Sequence, residues 1–233
     1  MIIHEEPRHP SSLTPGVGSC YGNGIGKLGK YFLPLLLVLL VTAVFSIPSY
    51  ISSFLSYSDV NYAIVMVILY IYSFFILVPV EYGLSFAFLK AARDERPSVN
   101  DLAVVLKNYG NILLVTFLRT VIVTIGFFLL IIPGFYFAFK LSFVQYLVTD
   151  KHMSAFQAID ESWRMTSGHV GTIFLMWLLA IPIMFAGLLM FGIGAIFSAM
   201  WVEAAFASLY HAVSLENQIE VIDSAPTQPG PFV

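Results

Sequence analysis

Between Tyr31 and Tyr50 the chain carries no charged side chain, and long apolar stretches recur five more times before its C-terminal tail. A helix needs about 20 apolar residues to cross the hydrocarbon core of a bilayer. Inside that core an unpaired backbone group finds no water, so each crossing segment must close its own hydrogen bonds as helix. The further stretches run over 61–80, continuing as helix to Ala92, then 111–133, 135–149, 170–190 and 192–213. The expected fold class is all-α: a polytopic membrane protein with about six transmembrane helices plus two short interfacial amphipathic helices.

Composition supports this and excludes the main alternative. Of 233 residues 58% are hydrophobic and only 11% charged, against about 25% charged in soluble domains. A soluble globule would lack the polar surface to stay dissolved. The formal net charge of −3 carries no nucleic-acid signal. The single cysteine, Cys20, allows no intrachain disulfide and is read as an inert cytoplasmic thiol. Lys27 and Lys30 precede the first stretch and Ala43 lies near its end, as in a secretory signal. The run is longer than a signal core, so it is read as a retained span.

The fourth stretch is the shortest. Its 15 residues reach about 23 Å at about 1.5 Å per residue, against a core of about 30 Å. It either borrows residues from the preceding turn or is partly re-entrant. The third stretch is expected to end in a turn at Pro133–Gly134. Outside the spans, 1–26 is rich in Pro, Gly and Ser and reads as a flexible cytoplasmic tail. The segment 215–233, with Glu216, Glu220 and Asp223 before Pro226, Pro229 and Pro231, reads as a disordered cytoplasmic tail. The transmembrane domain is then 27–214.

Basic residues give orientation. The loops 51–60, Pro133–Gly134 and 190–193 contain no Lys or Arg, whereas Arg8, Lys27, Lys30, Lys90, Arg93, Arg96, Lys107, Lys151 and Arg164 fall on the other side. That is nine of eleven. Basic loops stay cytoplasmic, so both termini are expected inside.

Two cytoplasmic segments have the pattern of amphipathic helices. In 98–109, Ser98 and Asp101 resemble a capping box, Leu102, Val105, Leu106 and Tyr109 follow at helical spacing, and Gly110 is expected to stop the helix. In 154–167, Ser154 and Gln157 cap, Phe156, Ile159 and Trp163 share a face, and Gly168 ends it. Phe156, Ile159, Trp163 and His169 form a candidate interfacial partner surface; ordinary connecting helices are the alternative. A cytoplasmic segment with a glycine precedes the first, third and fifth spans (Gly29, Gly110, then Gly168 and Gly171), which suggests three pseudo-symmetric hairpins.

Four charged residues fall within the apolar stretches or at their margins: Glu81, Arg119, Lys140 and Glu203. A charge at such depth costs at least about 2.5–3.5 kcal/mol, so compensation by pairing is expected. Depth counting lets Glu203 meet either base and lets Glu81 meet Arg119. The set is a candidate intramembrane polar cluster, either a polar pathway or ligand site, or a structural ion pair with Lys140 reaching to the surface. Gly187, Gly192, Gly194, Ser198 and Ala199 make the last hairpin fit for close helix packing or for a homodimer face.

Other motifs carry less. Gly24-Ile-Gly-Lys-Leu-Gly29 spells G-x-G-x-x-G but follows no strand, which that phosphate-cradling motif requires. His4, His9, His152, His169 and His211 have no metal-ligand spacing. No cofactor is expected, and nothing marks an enzyme.

The residues Glu81-Tyr-Gly83, Arg93-Asp-Glu-Arg-Pro-Ser98, Ile131-Ile-Pro-Gly134, Tyr146-Leu-Val-Thr-Asp150, Ser154-Ala155, Ser162-Trp163 and Ser167-Gly-His169 carry a resemblance. Over about 80–215 the chain resembles bacterial integral membrane proteins of unknown function, related to the membrane domain of some glycerophosphodiester phosphodiesterases. The resemblance implies a polytopic helical fold in a bacterial inner membrane. It does not imply the phosphodiester reaction, because the catalytic barrel is absent. The function expected first is a non-catalytic scaffold or accessory subunit with membrane lipids, a membrane-protein partner or a second copy as neighbours. A transporter or lipid-handling protein using the buried charges is the alternative.

Overall fold

The computed structural model describes residues 13–54, 62–190 and 193–224. Among these there is no strand, and six helical segments are long and apolar enough to cross a membrane: Val17–Tyr50, Tyr62–Ala92, Val99–Leu129, Ile131–Asp150, Val170–Leu189 and Gly194–Ile219. The protein is an all-α, multi-pass membrane protein.

The first span is α1 (Val17–Ser46) with a 3-10 extension, Ile47–Phe54. It starts at Val17, inside the segment expected to be a flexible tail. That expectation is corrected for 17–26, while 1–12 lies outside the described residues. The glycines there serve packing. A Cβ on Gly24 would stand 2.9 Å from the backbone nitrogen of Ala205 on the last helix, so only glycine lets the two helices cross this closely. Tyr21 seals the join: its hydroxyl donates to the Met176 carbonyl at 2.9 Å, and Trp201 Nε1 donates to the Tyr21 carbonyl at 3.0 Å. α1 kinks at Tyr31 (φ −115, ψ 24). Pro34 causes this, since its ring displaces the carbonyl one turn earlier, that of Lys30, and supplies no N–H to it.

The second span joins α2 (Tyr62–Tyr72), a π-helical turn at Ser73–Leu77 and α3 (Val78–Ala92). Pro79 leaves the carbonyl of Phe75 without its helical donor. The Tyr109 hydroxyl takes that place and donates to the Phe75 oxygen at 2.5 Å, as a broken ladder within a membrane requires. The 3-10 segment Val99–Asn108 then leads into α4 (Tyr109–Leu129). Its capping box of Ser98 and Asp101 forms as expected, but Gly110 does not stop it. The break falls at Asn108 (φ −133, ψ 29), and α4 runs through Gly110.

The expected turn at Pro133–Gly134 is also displaced. The chain reverses at the single extended residue Leu130, and α5 (Ile131–Lys140) already contains Pro133 and Gly134. Proline fits a first helical turn, where its missing N–H would have no helical partner. Gly134 serves the hairpin contact: a Cβ on Gly126 of α4 would lie 3.0 Å from Gly134 Cα. The fourth span thus borrows from the turn, as one alternative held, and continues after a turn at 141–143 into α6 (Val144–Asp150).

α7 (Ala155–Met165) is the second amphipathic helix, with its Ser154 and Gln157 capping box. It ends before Gly168, whose φ of +90 suits glycine. α8 (Val170–Leu189) and α9 (Ile193–Ser224) form the last hairpin, closed where Gly187 meets Gly194 and Ser198. α9 is the axis of the bundle and packs on α1, α3 and α8. It extends as helix to Ser224, so 215–224 is not the disordered tail expected; 225–233 lies outside the described residues.

One end of the bundle collects the ion pairs. Lys27 and Lys30 meet Asp94 at 3.0 and 2.6 Å, Lys90 meets Asp101 at 2.9 Å, and Arg93 meets Asp150 at 2.5 Å. The apolar side chains at the opposite end, such as Phe128, Ile132 and Leu189, are almost fully exposed, as a lipid-facing surface allows.

Candidate functional site

A polar cavity of about 610 Å³ lies within the spans. α3 contributes Glu81, Tyr82 and Ser85, α4 contributes Thr116, Arg119, Thr120 and Thr124, and α9 contributes Glu203. Gln145 of α6 forms part of the far wall, and Val78, Leu84, Val123 and Ala138 add apolar surface. Glu81 and Thr120 are exposed whereas Arg119 and Glu203 are half-buried, so the mouth lies between α3 and α4.

Local structure explains this convergence. The π-helical turn ends one turn before Glu81, and Pro79 lies two residues before it, in the first turn of α3. Such a single π turn in a helix is found often at functional sites. On α4, Thr116, Thr120 and Thr124 recur every four residues and so share the face that carries Arg119. Thr120 and Thr116 donate to carbonyls four residues back, of Thr116 and Ile112, each at 2.8 Å. Thr116 Oγ1 also lies 3.0 Å from the Tyr82 hydroxyl, which joins α4 to α3. Ser85 Oγ donates to Glu203 Oε1 at 2.7 Å.

Three of the four expected intramembrane charges therefore come together. Among the described residues, however, Arg119 forms no ion pair with either carboxylate. Opposite charges face one space across it instead of closing on each other.

Lys140 does not join them. It ends α5 and points to α7, donating to Ser167 Oγ at 2.8 Å and to the Trp163 carbonyl at 3.3 Å. Its ammonium stands 5.3 Å from the Trp163 ring and 5.7 Å from the Tyr136 ring, within reach of the attraction between a cation and an aromatic face. The side chain is 4% exposed, so Lys140 is enclosed and does not reach to the surface.

The expected partner surface on α7 is likewise divided. Phe156 is exposed, Ile159 packs partly on the core, and Trp163 is engaged by Lys140, Tyr136 and Phe137. His169 lies 3.3 Å from Glu216 of α9. The face that α7 buries consists of Ala155, Ala158, Ser162 and Met165. Asn108 and Asn111 help hold α7: Asn108 donates to the Val148 and Met153 carbonyls at 3.1 and 2.9 Å, and Asn111 Oδ1 accepts from the Ala155 N–H at 3.3 Å.

Sequence reasoning missed Ser85, Gln145 and the threonines as cavity residues. The threonine spacing around Arg119 was the available signal; Gln145 had none. Among the described residues no three His, Cys, Asp or Glu side chains gather as metal ligands. Comparisons with protein-family models, curated proteins and solved structures find no match.

Proposed function

We propose that the protein is a non-catalytic membrane protein that binds a polar or amphipathic ligand within the bilayer, as a transporter or lipid-handling protein does. One observation carries this reading. Glu81, Arg119 and Glu203, on three separate spans, line one cavity without neutralising each other. A purely structural set would gain most by closing into ion pairs, because unpaired charge in a membrane is costly. Polar groups converging on a cavity with some apolar wall are the usual marks of a ligand site.

The placement of the protein belongs to the same proposal. Lys27, Lys30, Lys90 and Arg93 gather at one end of the bundle, and basic ends face the cytoplasm. The family resemblance points to a bacterial inner membrane, and the one-sided distribution of basic residues points to both termini inside. It also brings a lipid-linked role to mind, by analogy with domains fused to a lipid-metabolising enzyme.

The scaffold or accessory-subunit reading is the competitor, and gentle solubilisation separates the two. Full-length protein extracted from native membranes is expected to carry a lipid or solute and no stoichiometric protein partner. A stable partner at fixed stoichiometry together with an empty cavity would decide for the scaffold.

A further inference from the structure

We propose that the cavity takes a zwitterion, a ligand that presents a primary ammonium to Glu203 and an anionic group, phosphate or carboxylate, to Arg119. The inference rests on the ligand-binding reading above and names the chemistry of the ligand.

Glu81 is exposed at the mouth, which leaves Glu203 and Arg119 as the two half-buried charges. They are of opposite sign and unpaired with each other. A simple cation would satisfy Glu203 and stand beside Arg119 as a like charge. A simple anion would do the reverse. A zwitterion meets both and brings no net charge into the bilayer, where each uncompensated charge costs at least about 2.5–3.5 kcal/mol.

Hydrogen bonding narrows the ammonium. Ser85 donates to Glu203 Oε1 at 2.7 Å, and among the described residues no hydrogen bond reaches Oε2. A primary ammonium has three N–H donors for that oxygen; a quaternary ammonium has none. The anionic end is set by Arg119, whose planar fork of donors matches a phosphate or carboxylate. Val78, Leu84 and Val123 can receive the carbon skeleton between and beyond the charged groups. Phosphatidylethanolamine has this head chemistry, and so does free glycerophosphoethanolamine, a phosphodiester that is likewise neutral overall.

The test uses the full chain in vesicles with equal parts of phosphatidylethanolamine, phosphatidylglycerol and phosphatidylcholine. Native mass spectrometry after extraction counts the lipids retained. Phosphatidylethanolamine is expected to be retained over the other two by roughly tenfold or more, the scale of one charge-assisted hydrogen bond. Arg119→Gln and Glu203→Gln are each expected to remove that preference. Added glycerophosphoethanolamine distinguishes the sources: displacement of the lipid assigns the site to the free zwitterion, and no displacement assigns it to the lipid. Equal retention of all three lipids, or preference for phosphatidylglycerol, would overturn the zwitterion while leaving ligand binding in place. Failure to retain any lipid, with no thermal shift in glycerophosphoethanolamine, would overturn both. The wild-type competition stands even if a variant fails to fold.

Discussion

Arg93 and Asp150 form a two-point ion pair, Nη1 to Oδ1 at 2.5 Å and Nη2 to Oδ2 at 2.6 Å. Arg93 follows α3 directly and Asp150 ends α6, so the pair fastens the second span to the fourth. Tyr210 of α9 donates its hydroxyl to Asp150 Oδ2 at 3.0 Å and brings the sixth span into the same knot. Both charged side chains are mostly buried. Arg93→Ala leaves the carboxylate without its partner and is expected to cost about 2–4 kcal/mol. Arg93→Lys, which cannot make the fork, should recover only part of this. Unfolding in detergent, followed by circular dichroism, measures both.

Glycines divide into two classes. A Cβ on Gly83 would lie 2.8 Å from Leu102 Cα and 3.0 Å from its carbonyl oxygen, whereas one on Gly110 meets nothing within 4 Å. Gly83→Ala must push the 3-10 segment off α3 and is expected to cost about 1–3 kcal/mol. Gly110→Ala, in an open helical position, is expected to gain about 0.5–1 kcal/mol. The same unfolding experiment reads the opposite signs.

Asp94 gives an acid-sensitive contact. Hydrogen bonds from Lys30 and then Lys27 hold its carboxyl well below the usual carboxylate range. Because the folded value is the lower one, the contact contributes fully above the unfolded value of about 3.9 and is lost as pH falls below it. Asp94 has φ +66, a conformation that Asn also tolerates. Asp94→Asn is therefore expected to keep the turn while reducing the loss of stability between about pH 5 and pH 3. Melting curves across that window, in a detergent that does not itself titrate, compare the two proteins.

The division of the intramembrane charges makes a further contrast. Lys140 is held by Ser167, the Trp163 carbonyl and two aromatic rings, away from the cavity. Lys140→Met is expected to lower stability by about 1–3 kcal/mol and to change the tryptophan emission, while ligand retention stays at the wild-type level. Arg119→Gln is expected to do the reverse and lose retention with little loss of stability.

The spans and both capping boxes were legible because they follow from periodicity and from local side-chain chemistry, as at Ser98 with Asp101 and Ser154 with Gln157. What was not legible depended on tertiary contact. Pro133–Gly134 has the composition of a turn, but Gly134 is needed where α5 crosses Gly126 of α4, and the chain reverses at Leu130. The glycine-rich start looked flexible because its helix is stabilised by α9, in particular where Gly24 meets Ala205. Depth along a span set Glu81, Arg119 and Glu203 at a common level, and all three line the cavity, but the ion pairs expected among them do not form. It placed Lys140 within reach of Glu203 because depth says nothing of rotation about a helix axis.

We infer that water reaches the polar space that α3, α4 and α9 line within the spans. Thr120 faces that space, whereas Phe117 lies on the same helix but outside the cavity and is 56% exposed. In a Cys20→Ser background, single cysteines at these two positions can be reacted with a small, water-soluble thiol reagent in intact membranes. Only an ionised thiol in contact with water reacts quickly. Thr120→Cys is expected to label rapidly and to be protected by ligand, with Phe117→Cys unreactive. Equal inertness at both positions would contradict the account.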